Sequence, residues 1–150
     1  MKVLLDTNIL TRSIQPASGH HAVANVATGE LLRRGDDLCV VPQVIYEFWV
    51  VCTRPPGDNG LGMDADAARL EIDRILSVFT LLPDEPTILP VWRALVTAHQ
   101  VHGKSAHDAR LVAAMDVHGM ATLMTFNGTH FRRFPGVTVL DPITIRPSVP

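Results

Sequence analysis

Five short apolar runs, Val3–Leu5, Leu38–Val41, Val78–Leu82, Ala121–Thr125 and Val137–Leu140, punctuate this chain, separated for the most part by stretches with helical periodicity. That alternation predicts an α/β fold: a central, mostly parallel five-stranded sheet covered by helices. The helical stretches run Ala22–Arg34, ended by Gly35; Gln43–Thr53, opened by Pro42; Asp64–Ser77; Glu85–His102; and Ser105–His118. Right-handed crossovers put the carboxyl ends of all parallel strands on one edge, so residues just after a strand, or opening the next helix, gather there. Two helices separate the third and fourth strands. Residues 85–102 are therefore expected to cross the sheet obliquely, so that the Ser105 helix starts at the same edge.

A chain of 150 residues with 47% hydrophobic and 19% charged residues is large enough for one globular domain, expected over 1–150, without disulfide or metal staples. A net charge of −2 excludes a global basic field that would hold nucleic acid non-specifically. A polyanion must be met by local arginines or by metal ions. Cys39 and Cys52 lack CxxC spacing and read as buried thiols of a reducing cytoplasm. No apolar segment is long enough to span a membrane, and Asp6 interrupts the first apolar run too early for a signal peptide. The loop Arg54–Gly62 follows no strand, so its glycines do not read as a phosphate cradle.

Three acids stand out. Asp6 follows Val3-Leu4-Leu5 directly, where open α/β sheets bind ligands, although Asp, Thr and Asn also suit a cap on a following helix. Glu47 is the only formal charge from Leu38 to Cys52. Among such neighbours a carboxylate loses hydration and needs a partner, either at a site or in a structural ion pair. Asp108 stands three residues after Ser105, a capping-box pattern, yet it is expected to share an edge with the other two. Carboxylates about 5 Å apart repel by roughly 3 kcal/mol per pair at an effective dielectric of about 20. Divalent cations remove that penalty, and an all-oxygen set points to Mg²⁺ or Mn²⁺ rather than zinc.

The segments Leu5-Asp-Thr-Asn-Ile-Leu10, Glu47 on the second helix, Asp108-Ala-Arg-Leu-Val-Ala-Ala-Met115 and Thr125-Phe-Asn-Gly-Thr-His-Phe-Arg-Arg-Phe-Pro-Gly-Val137 together resemble a PIN-domain protein, and within that group a VapC-type toxin ribonuclease. The resemblance covers essentially the whole chain. It implies a metal-dependent endoribonuclease, the toxin of a type II toxin–antitoxin system, commonly homodimeric and held inactive by a small VapB-like antitoxin. It implies that Asp6, Glu47 and Asp108 ligate metal, that Thr7 or Asn8 braces the site, and that water attacks the RNA phosphate. One departure is Asn127, where the family usually places a fourth acid: it offers a carbonyl oxygen but no charge. His130 falls where another acid is frequent, and is expected to orient water or pack beside Phe131. Arg12, Arg110, Arg132 and Arg133 flank the proposed edge as candidate RNA phosphate contacts. Two further readings stand beside the nuclease: a catalytically impaired binding module that engages antitoxin or RNA without cleavage, and an aspartyl-phosphate enzyme. The last wants an acid where Asn8 stands.

Overall fold

The computed structural model describes residues 1–148. Strands β1 (Lys2–Leu5), β2 (Asp37–Val40), β3 (Thr80–Leu81), β4 (Thr122–Met124) and β5 (Thr138–Leu140) form one sheet in the order β3-β2-β1-β4-β5. Every pairing is parallel, so the sheet is wholly rather than mostly parallel. Leu4 pairs with Cys39 on one side and Leu123 on the other, which makes β1 the central strand. A central parallel strand is covered on both faces, which is why Val3, Leu4 and Leu5 are consecutive apolar residues and fully buried.

Six helices surround it: α1 (Thr7–Ser13), α2 (His21–Arg33), α3 (Pro42–Thr53), α4 (Ala65–Val78), α5 (Ile88–Ala98) and α6 (Ser105–Val117). Helix α2 ends where glycine permits a left-handed residue: Gly35 has φ +83°, its N–H bonds to Leu32 O and that of Asp36 to Leu31 O. Pro42 opens α3, as its fixed φ favours. The core joins both faces of the sheet, with Phe48 of α3 and Met115 of α6 buried on it. Burial pushes the Cys39 and Cys52 thiols up to about 11, so neither is a reactive thiolate.

Three boundaries differ most from expectation. Helix α1 follows β1 at once, because Asp6 caps it. The third strand shrinks to Thr80–Leu81, since α4 continues through Val78 and only an exposed edge remains. The fourth helical stretch narrows to Ile88–Ala98, closed before the left-handed residues Gln100 and Gly103. The return from β3 to the active edge is made by packing helix on helix: α5 lies chiefly against α6, with Trp92 Nε1 donating to Ala106 O at 2.8 Å. Among the described residues, no helix is long and apolar enough to cross a membrane.

Candidate functional site

The strand order reverses between β1 and β4, the point at which an open parallel sheet leaves a crevice beyond its carboxyl ends. Asp6 leaves β1 there, its N–H bonded to Met124 O of β4 at 3.0 Å. Extended at φ −71°, ψ 155°, it caps α1 by accepting Thr7 N–H on Oδ1 at 2.7 Å. Capping occupies one oxygen. The other accepts the Thr125 hydroxyl at 2.6 Å and Asn8 Nδ2 at 3.2 Å. Thr125 Oγ1 also accepts from Asn8 Nδ2 at 3.1 Å and from the Asn127 N–H at 3.0 Å, while Asn8 Oδ1 accepts the Phe126 N–H at 3.2 Å. One hydroxyl and one amide thus lock the loop after β4 to the start of α1.

Glu47 stands in the second turn of α3 and, among the described residues, makes no ion pair with an arginine. Its Oε2 accepts the Thr7 hydroxyl at 2.5 Å and its Oε1 the Gln43 amide at 2.9 Å. Gln43, itself buried, donates to His107 O at 2.9 Å as well, tying α3 to the first turn of α6. That turn carries Asp108. The capping box written in the sequence does not form: Lys104 is the N-cap, without a side-chain cap. The Asp108 carboxylate instead lies 3.6 Å from His130 Nδ1. Three elements therefore deliver three acids to one place.

Burial raises the Asp6 carboxyl above the usual range; hydrogen bonds from Thr125 and Thr7 oppose that rise, while the charges of Glu47 and Asp108 add to it. Burial also raises Asp108, opposed by His130 and reinforced by Glu47. Negative charge is crowded here beyond what the nearby polar groups relieve. A cavity of about 1120 Å³ opens over the cluster, lined by Asp6, Thr7, Asn8, Glu47, Asp108, Asn127 and His130, among others.

Of the candidate cations, Arg12 and Arg133 line this cavity and Arg110 and Arg132 do not. Arg110 is drawn away, with NH1 on Gln43 Oε1 and NH2 on Asp84 Oδ1, both at 3.0 Å. Arg132 is exposed outside it. Among the described residues, no three His, Cys, Asp or Glu side chains converge closely enough to enclose a metal ion. The joint ligation expected of Asp6, Glu47 and Asp108 is therefore absent as a closed cage. The donor set still suits a hard cation: Mg²⁺ keeps several waters and needs only one or two direct carboxylates, the remaining acids acting through water.

Gln43, Thr125 and Arg54 also belong to this environment and carry no signal of their own in the sequence. Gln43 and Thr125 are uncharged, and their partners lie 64 and 119 residues away. Position alone marked Thr125, at the carboxyl end of the strand beside β1. Arg54 opens a Pro/Gly-rich loop that reads as a plain connection.

A family profile described as PIN domain matches residues 3–137. Among solved structures, the chain is similar to VapBC2 from Rickettsia felis bound to a promoter DNA fragment, at 17% identity, covering 93% of this chain and 98% of that one, with a TM-score of 0.70. It is similar to FitAcB from Neisseria gonorrhoeae at 17% identity, 95% and 99% coverage and a TM-score of 0.68. The Mycobacterium tuberculosis toxin VapC20, described as cleaving the sarcin-ricin loop, matches at 18% identity, 85% and 92% coverage and a TM-score of 0.62. These likenesses establish the fold. No curated protein sequence matches the chain.

Proposed function

The chain belongs to the PIN-domain family, and from that premise we propose that it is a metal-dependent endoribonuclease acting as the toxin of a type II toxin–antitoxin pair. The observation that carries this reading is the delivery of Asp6, Glu47 and Asp108, from β1, α3 and α6, to one cavity at the switch point of the sheet. Solved relatives of the same fold include toxin–antitoxin complexes and an RNA-cleaving toxin, which supports the substrate and the partner.

Asp6 and Asp108 are assigned as direct ligands of Mg²⁺ or Mn²⁺, with Glu47 acting through water and Asn127 offering a neutral carbonyl oxygen. The ion, when bound, would neutralise the acids, sharpen the acidity of a water and stabilise the leaving oxygen of the phosphodiester. Thr7 and Gln43 hold Glu47 in one orientation, and Thr125 and Asn8 do the same for Asp6. Carboxylates held in this way are oriented before substrate arrives, so little reorganisation is needed. Glu47 is the acid assigned to take the proton from the attacking water, because Thr7 and Gln43 fix its orientation on the cavity wall and no arginine among the described residues pairs with it. His130, beside Asp108 and on the same cavity, is placed to orient that water.

Tyr46, Trp49 and Val50 on the outer face of α3 are 64%, 36% and 52% exposed, and this apolar strip suits a protein partner: a VapB-like antitoxin or a second copy in a homodimer. Purified protein freed of any partner should cleave RNA with Mg²⁺ or Mn²⁺, and cease on chelation and on Asp6→Asn. Asn127, which brings no charge to the cavity, favours the second reading, a binding module without turnover. Absence of cleavage across metals, with RNA or antitoxin still bound, would establish that instead.

A further inference from the structure

The cavity is a groove rather than a cup. Helix α3 lines it with Glu47 and Val51, spaced i, i+4 on one face, and with Arg54, its extended C-cap; α1, packed against α3, lines it with Thr7, Thr11 and Arg12. The last turns of α3 carry the chain about 10 Å from Glu47 to the C-cap, Arg54. The acidic end of the groove lies at the sheet edge, and its far end is cationic.

Arg54 is under-used. One of its five N–H donors is engaged, by Asn59 O at 3.0 Å, and its Nε is buried with no partner. No carboxylate pairs with it among the described residues, whereas Arg110, outside the cavity, is engaged through both terminal nitrogens, by Gln43 and by the Asp84 carboxylate. The loop is built around this arginine. Gly62 N–H bonds to Arg54 O at 2.9 Å, and a Cβ at Gly60 would overlap the Arg54 carbonyl group, so only glycine lets the loop close onto it. With Nε shielded and only one terminal N–H engaged, the free donors of this partly buried guanidinium in a groove wall are on its terminal nitrogens, whose edge matches a phosphate oxygen pair.

We propose that Arg54, with Arg12 on the facing helix, holds a phosphate of the RNA strand flanking the one that the acids would engage. The assignment rests on the nuclease reading for its substrate, and it deepens that reading by giving the strand a path: along the α1–α3 groove, from the sheet edge toward the Arg54–Gly62 loop.

The test is equilibrium binding of a fluorescent single-stranded RNA to the full chain at several KCl concentrations, for the parent, Arg54→Gln and Arg54→Lys, each checked by thermal melting. Arg54→Gln is expected to weaken binding about tenfold or more and to reduce the slope of log K against log salt by about 0.7, with Arg54→Lys restoring most of the slope. A merely structural arginine would lower the melting temperature and leave that slope unchanged, which overturns the proposal, as does unaltered affinity in Arg54→Gln or no RNA binding by the parent. Loss of affinity for an acidic peptide with RNA binding intact overturns it in favour of a protein partner. If the parent binds RNA with an Arg54-dependent slope but cuts none with Mg²⁺ or Mn²⁺, the nuclease reading fails and the phosphate contact stands.

Discussion

The Thr7 hydroxyl donates to the Glu47 carboxylate at 2.5 Å, joining the first residue of α1 to the second turn of α3 across forty positions of sequence. A hydrogen bond to a charged group contributes about 1.5–3 kcal/mol, and this one also sets the direction of an acid proposed to act on water. Thr7→Val keeps the shape and removes the donor. It should lower the unfolding free energy by about that amount in urea titration and reduce RNA cleavage about tenfold or more, while Thr7→Ser recovers most of both.

Thr125 offers a sharper case, because one hydroxyl serves Asp6, Asn8 and the Asn127 N–H together. Thr125→Val removes a hydrogen bond to the Asp6 carboxylate, worth about 1.5–3 kcal/mol, and takes an acceptor from Asn8 Nδ2 and from the Asn127 N–H, while Asn8 still donates to Asp6. The variant is expected to lose at least about 2 kcal/mol in denaturant melts. Full stability in Thr125→Val would show that the loop after β4 is held by other contacts.

Asp108 accepts no cap bond and faces two other acids, so in metal-free protein its charge opposes the fold. Asp108→Asn should melt no lower than the parent in chelator. The parent should gain thermal stability on adding Mg²⁺ or Mn²⁺, as any ligand of the native state confers, and the variant should gain little. Equal gains in both would remove Asp108 from the ion's partners.

Away from the cavity, Glu30 is buried and accepts from Arg33, Arg34 and Ser148, which together hold its carboxyl far below the usual 4.5. Its folded value is depressed, so its contribution is present above the unfolded value and is lost progressively as pH falls below about 4.5 toward the folded one. Glu30→Gln should therefore melt lower than the parent at pH 7, with the gap closing as melts are repeated toward pH 3. A gap independent of pH would assign the loss to packing.

How much of this was legible in the sequence follows from where each signal lies. Val3-Leu4-Leu5 preceding Asp6 is a local pattern, and burial on both faces of a parallel sheet leaves no other reading of it. Glu47 was conspicuous for the same kind of reason, a lone charge in an apolar helix. Asp108 was ambiguous because Ser105 offers the same acid a cap; only the backbone at Lys104, which takes the cap position itself, decides between them. Val78 reads as a strand residue by its branching, but it closes the last turn of α4, where the Phe79 N–H bonds back to Ile75 O, and helix ends are the boundaries a local pattern fixes least. Gln43 and Thr125 act through partners 64 and 119 residues distant, and no local periodicity encodes such a pairing. Arg110 was placed near the edge correctly by element and then diverted by Asp84, a contact made by the chain's path and not by spacing.

The central position of β1 between β2 and β4 has a temporal corollary. Asp6 is made 119 residues before its clamp, Thr125, so the bond between them can form only after β4 has been synthesised and seated beside β1. Domains assemble from the N-terminal side during synthesis, and parallel strands distant in sequence close late. The acid cluster thus reaches its final geometry only once β4 is seated, so a ligand of that cluster meets a site completed late in folding.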